Sequence, residues 1–305
     1  MILQNDELSA VIDPLRGGEV VSLRHRPTDL DVLFSTPWRR RADLMADTGA
    51  ASAFADDQAE WLERYRGGWQ TLAPTAGPRS QIGTASVGFH GELSRVPFVV
   101  LESSDAHARM ETELVSVPLL VTRTISLAGG RIVMDDLLTN LSGDEVLFDY
   151  VSHPAFSRDL LEGDCVIELG ATSFRFDGDD TRHAWPNTTT PEGESLDLSV
   201  VPPAGSRRAT FGWASDFVAG TATLRNTTRG VQAGVEWDEK ILNSLWLWQE
   251  LEGTEGYPWF RRARVVALEP SSTPTTRVEG TPALTLAGGA QVRIRVSLTI
   301  ERTHT

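Results

Sequence analysis

A single cysteine, Cys165, in 305 residues excludes an internal disulfide and any metal site built on two thiolates, and it reads as a small buried hydrophobe. Lysine is equally scarce: Lys240 is the only one among 28 basic residues, set against 42 aspartates and glutamates for a formal charge of -14. That field repels phosphate backbones, so nucleic acid is not an expected partner, and it disfavours highly anionic ligands unless a local arginine cluster overrides it. A neutral ligand fits most easily. No stretch approaches the ~18 apolar residues of a membrane span, and the opening Met-Ile-Leu-Gln-Asn-Asp lacks a basic region followed by an apolar run. The expectation is therefore a cytoplasmic protein with no membrane partner. The sequons at Asn187 and Asn226 read as chance matches in that setting. No Gly/Ser or Pro-rich linker divides the chain and no repeat is visible, so a single domain over residues 1–305 is expected.

What is present is strand signal. Apolar residues are 40% and charged residues 23%, enough for a sizeable core. Leu8, Ala10 and Ile12 alternate with polar neighbours. Turns at Asp13-Pro14 and Gly17-Gly18 precede Val20 to Leu23. Val121, Arg123, Ile125 and Leu127 alternate with Thr and Ser, Gly129-Gly130 turns the chain, Ile132 to Leu138 returns, and Val146 to Val151 makes a further strand ending at His153-Pro154. Shorter strands follow at Val166 to Leu169, Thr221 to Arg225, Gln232 to Glu236, Leu245 to Gln249, Val265 to Leu268 and Val292 to Ile300. This pattern predicts an all-β fold, a large antiparallel β-sandwich. Helical periodicity is clear only from Asp56 to Tyr65, where Ala59, Trp61, Leu62 and Tyr65 share a face behind an Asp cap, inside an excursion covering about residues 36 to 66.

Three segments place titratable groups among turns and aromatics. The first joins Gly67-Gly68-Trp69-Gln70 to Gly88-Phe89-His90-Gly91-Glu92, and the second is Ser152-His153-Pro154-Ala155-Phe156. The third runs from Trp246-Leu247-Trp248-Gln249 through Tyr257-Pro258-Trp259 to Leu268-Glu269-Pro270. An indole face packs on the C–H face of a sugar ring while polar neighbours bond its hydroxyls, so tryptophan beside Gln, His and Glu suits carbohydrate.

Taken in order, His90-Gly91, His153-Pro154-Ala155-Phe156 and Leu268-Glu269-Pro270 resemble the aldose 1-epimerase (galactose mutarotase-like) family over about residues 8 to 300. The resemblance implies a large antiparallel sandwich binding one sugar, a monosaccharide or a derivative, with no metal, nucleotide or other cofactor. It implies that Glu269 takes the anomeric proton, His153 protonates the ring oxygen and His90 helps hold the sugar. Trp69, Gln70, Arg79, Trp248, Gln249 and Trp259 are the expected sugar contacts, Arg79 by location alone, and Asp216 and Asp238 are candidates for an acidic contact. The chain departs from the family at Glu92, where a second glycine is usual, and at Ser157, where asparagine is usual; these departures bear on substrate identity. A homodimer is compatible with the resemblance.

The chemistry asks for such a set independently. Opening a hemiacetal removes the O1 proton and supplies one to O5, and a carboxylate with an imidazole can do both and exchange roles on closure. Two other classes compete: a non-catalytic sugar-binding protein on the same fold, and a cupin-like metal enzyme using His90, Glu92 and His153. The close His-x-His ligand spacing of the latter is missing. His25, His107, His183 and His304 lack a site context and read as surface residues. Arg39-Arg40-Arg41 reads as solvated, whereas Arg261-Arg262 lies near the third segment and leaves a carboxylated, sulfonated or phosphorylated sugar open.

Overall fold

The computed structural model describes residues 1–190, 193–274 and 284–303. Eighteen strands join in one antiparallel hydrogen-bonded sheet that folds over on itself into two layers. One layer runs Ile2–Gln4, Leu8–Asp13, Glu19–His25, Trp69–Leu72, Val151–Phe156, Arg264–Ser271 and Ser244–Leu251. The other runs Val99–Ser103, His107–Glu113, Leu119–Ala128, Arg131–Asn140, Gln291–Arg302 and Val231–Trp237. The layers meet at a long antiparallel pair, Cys165–Phe176 with the 19-residue strand Arg208–Asn226. Arg208 to Ala214 pair with the first layer and Thr221 to Asn226 with the second, and the register between the two paired strands shifts at Leu169/Ala171. Such a shift bends a strand, which lets one strand serve both layers.

Period-2 alternation decides which side chains enter the space between the layers. Leu119, Val121, Ile125 and Leu127 meet Ile132, Met134 and Leu138 across their hairpin, and all are buried. Arg123 and Asp136 are register partners in the same stripe and fully buried. Their Nε–Oδ1 and Nη2–Oδ2 contacts are 2.8 and 2.6 Å, the fork geometry that suits guanidinium to carboxylate. Arg123 also donates to Thr71 Oγ1 at 2.7 Å, and the Tyr150 hydroxyl donates to Asp136 at 2.9 Å. This polar knot ties the second layer to the Trp69–Leu72 strand of the first. Asp136→Ala leaves an uncompensated buried guanidinium and is expected to cost about 3–5 kcal/mol, read as a lowered urea midpoint. A loss below about 1 kcal/mol would show that the knot contributes little.

Several local expectations need amendment. The excursion carries two helices, α1 (Arg39–Thr48) and α2 (Asp57–Arg64), only the second of which was legible. Asp56 caps α2 by accepting from Ala59 N at 2.8 Å, whereas α1 begins on Trp38 with no side-chain cap. The strand read as Val146 to Val151 is two: Val146–Phe148 pairs with Leu284–Leu286, and Val151–Phe156 enters the first layer. Between them Asp149 N bonds Pro74 O and Tyr150 N bonds Ser272 Oγ, so the backbone changes partners there. His25 is buried, not on the surface, with Nδ1 2.7 Å from Thr28 Oγ1. His183 is partly buried, packing edge-on to Phe176, and His107 is half-buried; His304 lies outside the described residues. Asn226 is buried with its amide donating to Leu160 O and Glu162 O, which fits a chance sequon. No helix among the described residues is long and apolar enough to cross a membrane.

Candidate active site

The outward face of the first layer carries a row of side chains set by register. Gln70 pairs with His153, Glu269 with Trp246, and Trp246 with Trp213. Continuing the Val151↔Ser271 and Ala155↔Ala267 register brings His153 opposite Glu269. Their Nε2 and Oε1 atoms are 3.5 Å apart. His90 arrives from a loop above the row, its ring centroid 6.5 Å from that of His153. Its turn depends on Gly91, which has φ +73° and lies against Ala73, where an added Cβ would be 2.3 Å from the carbonyl oxygen.

All three groups line one cavity of about 480 Å³, within the size range of small-molecule sites. Trp246, Trp248 and Trp259 line it from one side, with Trp248 and Trp259 centroids 5.1 Å apart. Trp61 and Tyr65, stacked at 4.8 Å, close another side from α2 and the residue that follows it. Phe34 and Trp38 buttress Trp259 from behind.

Burial sets the ionisation. Glu269 is 2% exposed, and desolvation pushes its carboxyl well above the ordinary value. Desolvation lowers His153 to about 4, so its imidazole is neutral through the physiological range. Both shifts favour neutral forms, which puts the pair's single proton on Glu269 while the pocket is empty. His90 is held well below the ordinary imidazole range by burial, then by His153 and Arg95. Its Nδ1 accepts from Gly77 N at 2.9 Å, which fixes the proton on Nε2 and makes that nitrogen a hydrogen-bond donor.

Five of the nine residues singled out in the sequence meet here: His90, His153, Glu269, Trp248 and Trp259. Four do not line the cavity. Trp69 points to the opposite face, fully buried between the layers, where its indole donates to Ser152 Oγ at 2.7 Å. Gln249 also faces inward, one residue out of phase with Trp248, and accepts from Arg208 at 2.7 Å. Gln70 lies on the correct face, but its amide donates to Glu19 at 2.6 Å and it lines a neighbouring cavity. Arg79 lies on an exposed hairpin, 3.3 Å from Asp57. Of the acidic candidates, Asp216 pairs with Arg182 in another cavity, and Asp238 is exposed and accepts from Lys240 N in a turn. The carboxylate that reaches the cavity rim is Asp177, joined by Gln58, Thr254 and Tyr257. Asp177-Gly178 is legible as a turn, but nothing local connects it to His153.

Glu92, the third ligand of a cupin reading, accepts from the backbone of Val115 and Ser116 and does not face the histidines. Arg39 and Arg41 are spent on Asp43 and Glu63, and Arg261 on Glu255.

Comparison with known proteins places the fold. No protein-family model matches the sequence, and no curated protein does. Solved structures do match along the whole chain. A galactose mutarotase-like protein of Lactobacillus casei superposes with a TM-score of 0.65 at 17% identity, covering 99% of each chain. One from Clostridium acetobutylicum gives 0.68 at 15%, covering 99% of this chain and 95% of that one. An Escherichia coli protein provisionally named an aldose 1-epimerase gives 0.68 at 15%, covering 99% and 98%. The fold is galactose mutarotase-like. At these identities the likeness speaks for architecture, and the chemistry has to be argued from the cavity.

Proposed function

We propose that this chain is an aldose 1-epimerase-type enzyme that interconverts the α and β anomers of an aldose or aldose derivative. The observation that carries the reading is a buried carboxyl and imidazole 3.5 Å apart in a cavity walled by tryptophan. A hydroxyl donating to Glu269 stabilises the carboxylate and shifts the shared proton to His153. Glu269 then takes the O1 proton as His153 gives one to O5, the C1–O5 bond opens, the aldehyde rotates, and closure reverses the roles. His90 donates from Nε2 to hold the sugar, and Trp248 and Trp259 pack against its C–H face. The decisive measurement is NMR or polarimetric equilibration of fresh α-anomer across neutral, acidic and phosphorylated aldoses. Saturable sugar binding with no acceleration would instead favour a non-catalytic binding protein.

The ionisation leads to a pH prediction. The pair holds one proton from the value of His153, about 4, up to the raised value of Glu269. Below that window both groups are protonated and no base is left; above it both are deprotonated and no acid is left. The rate constant kcat/KM should therefore hold its plateau at pH 5–6 and fall on the acid side near pH 4. An acid limb at the ordinary imidazole value of about 6.5 would contradict the assignment.

A further inference from the structure

Behind the Trp61–Tyr65 wall lies a second cavity of about 310 Å³, lined by Arg16, Arg64 and Arg95 and by a single carboxylate among the described residues, Glu60. Two of the guanidiniums are held by the backbone: Arg16 donates to Arg64 O at 2.8 Å, and Arg64 to Ala50 O at 3.0 Å. Glu60 is shared, 3.3 Å from Arg64 and 3.8 Å from Arg95. The nearby carboxylates of Asp13 and Glu19 are engaged by Arg66. Three positive charges thus face one negative charge in a chain whose net charge is -14.

The lining also holds unmet hydrogen-bonding capacity. Among the described residues, Nε and Nη2 of Arg95 are buried without partners, as is the carbonyl oxygen of Gln70, a residue 5% exposed. Water can satisfy such groups but cannot neutralise the charge. Burial holds the guanidiniums of Arg16 and Arg95 below their usual range, with Arg66 adding to the effect on Arg16 and Arg64 to that on Arg95, a cost that a bound anion relieves.

We propose that this cavity binds a small oxyanion of the phosphate class, apart from the pocket that holds His153 and Glu269. Arginine forks match its oxygens, and a protonated oxygen of the anion supplies the donor that Gln70 needs. The site stands next to the other pocket through Trp61, whose ring is edge-on to His90 at 4.6 Å.

The test is calorimetric titration of the full chain with inorganic phosphate, ionic strength held constant with chloride. One-to-one saturable binding is expected. Arg95→Gln should weaken it at least about tenfold; among the described residues the Arg95 guanidinium makes no hydrogen bond and only a 3.8 Å ion pair with Glu60, so its substitution disturbs little else. Arg225→Gln, a half-buried residue paired with Glu168 on a distant strand, should leave the affinity unchanged. Glucose 6-phosphate titrated in parallel separates two sources of the same group. Affinity equal to that of phosphate identifies a free anion, and tighter binding that Arg95→Gln abolishes identifies a phosphorylated sugar. No saturable binding to the wild-type chain, or binding unchanged in Arg95→Gln, overturns the proposal. None of these readings depends on epimerase activity, so the two proposals fail separately.

Discussion

Glu269→Gln is expected to lower anomer exchange by about 10²–10⁴-fold while leaving sugar affinity within a few-fold of wild type. The substitution keeps the shape of the side chain and its place opposite His153, but an amide neither ionises nor passes on a proton. The carboxyl is buried 3.5 Å from His153, whereas the other carboxylate lining the cavity, Asp177, lies at its rim. The rate should be measured by exchange NMR on the best aldose from the anomer screen and corrected for spontaneous mutarotation. A variant retaining more than about a tenth of the turnover would remove Glu269 from the proton path.

His153→Asn should reduce turnover by roughly 10²-fold or more, with a smaller change in binding. Its strand is paired on both sides, with Trp69–Leu72 and with Arg264–Ser271, so the imidazole is held in a fixed direction and the asparagine should occupy the same place. Among the described residues Nδ1 of His153 is buried without a partner, which leaves the ring oriented by the strand and its aromatic neighbours Tyr65 and Trp248. His90→Asn should behave differently. That ring is a neutral donor locked by Gly77, so its loss should weaken binding as well as rate. If His153→Asn turns over near normally, or if the two variants show the same split between rate and affinity, the roles drawn from the geometry are wrong.

The strands that carry the site were legible as short apolar runs, the pattern of strands buried on both faces. Val265 to Leu268 and Leu245 to Gln249 read as strands, and both are. The α2 helix was legible from Asp56 and its apolar face; α1 was not, because Arg39-Arg40-Arg41 resembles a solvated run until Asp43 and Glu63 are brought beside it. Two of the four errors among the sugar contacts share one cause. Trp69 and Gln249 each stand next to a residue on the outward face, and alternation sends immediate neighbours to opposite faces. Choosing between Trp248 and Gln249 requires knowing which face lies between the layers, and a strand buried on both faces, such as Ser244–Leu251, does not disclose it.

The sequence by itself determined the chemistry on offer. It specified an acidic, almost lysine-free chain rich in alternating strands, with two histidines, one glutamate and a concentration of tryptophan in three separated segments. Composition and period 2 are local properties, so they survive without coordinates. Tertiary structure alone decided which of those groups meet. Register across the sheet set His153 against Glu269, a loop fixed by Gly91 brought His90 over them, and the arginines of three distant segments came together behind Trp61. Those contacts join residues far apart in the chain, and the ionisation of each group follows from burial that only the packed layers and the aromatic wall create.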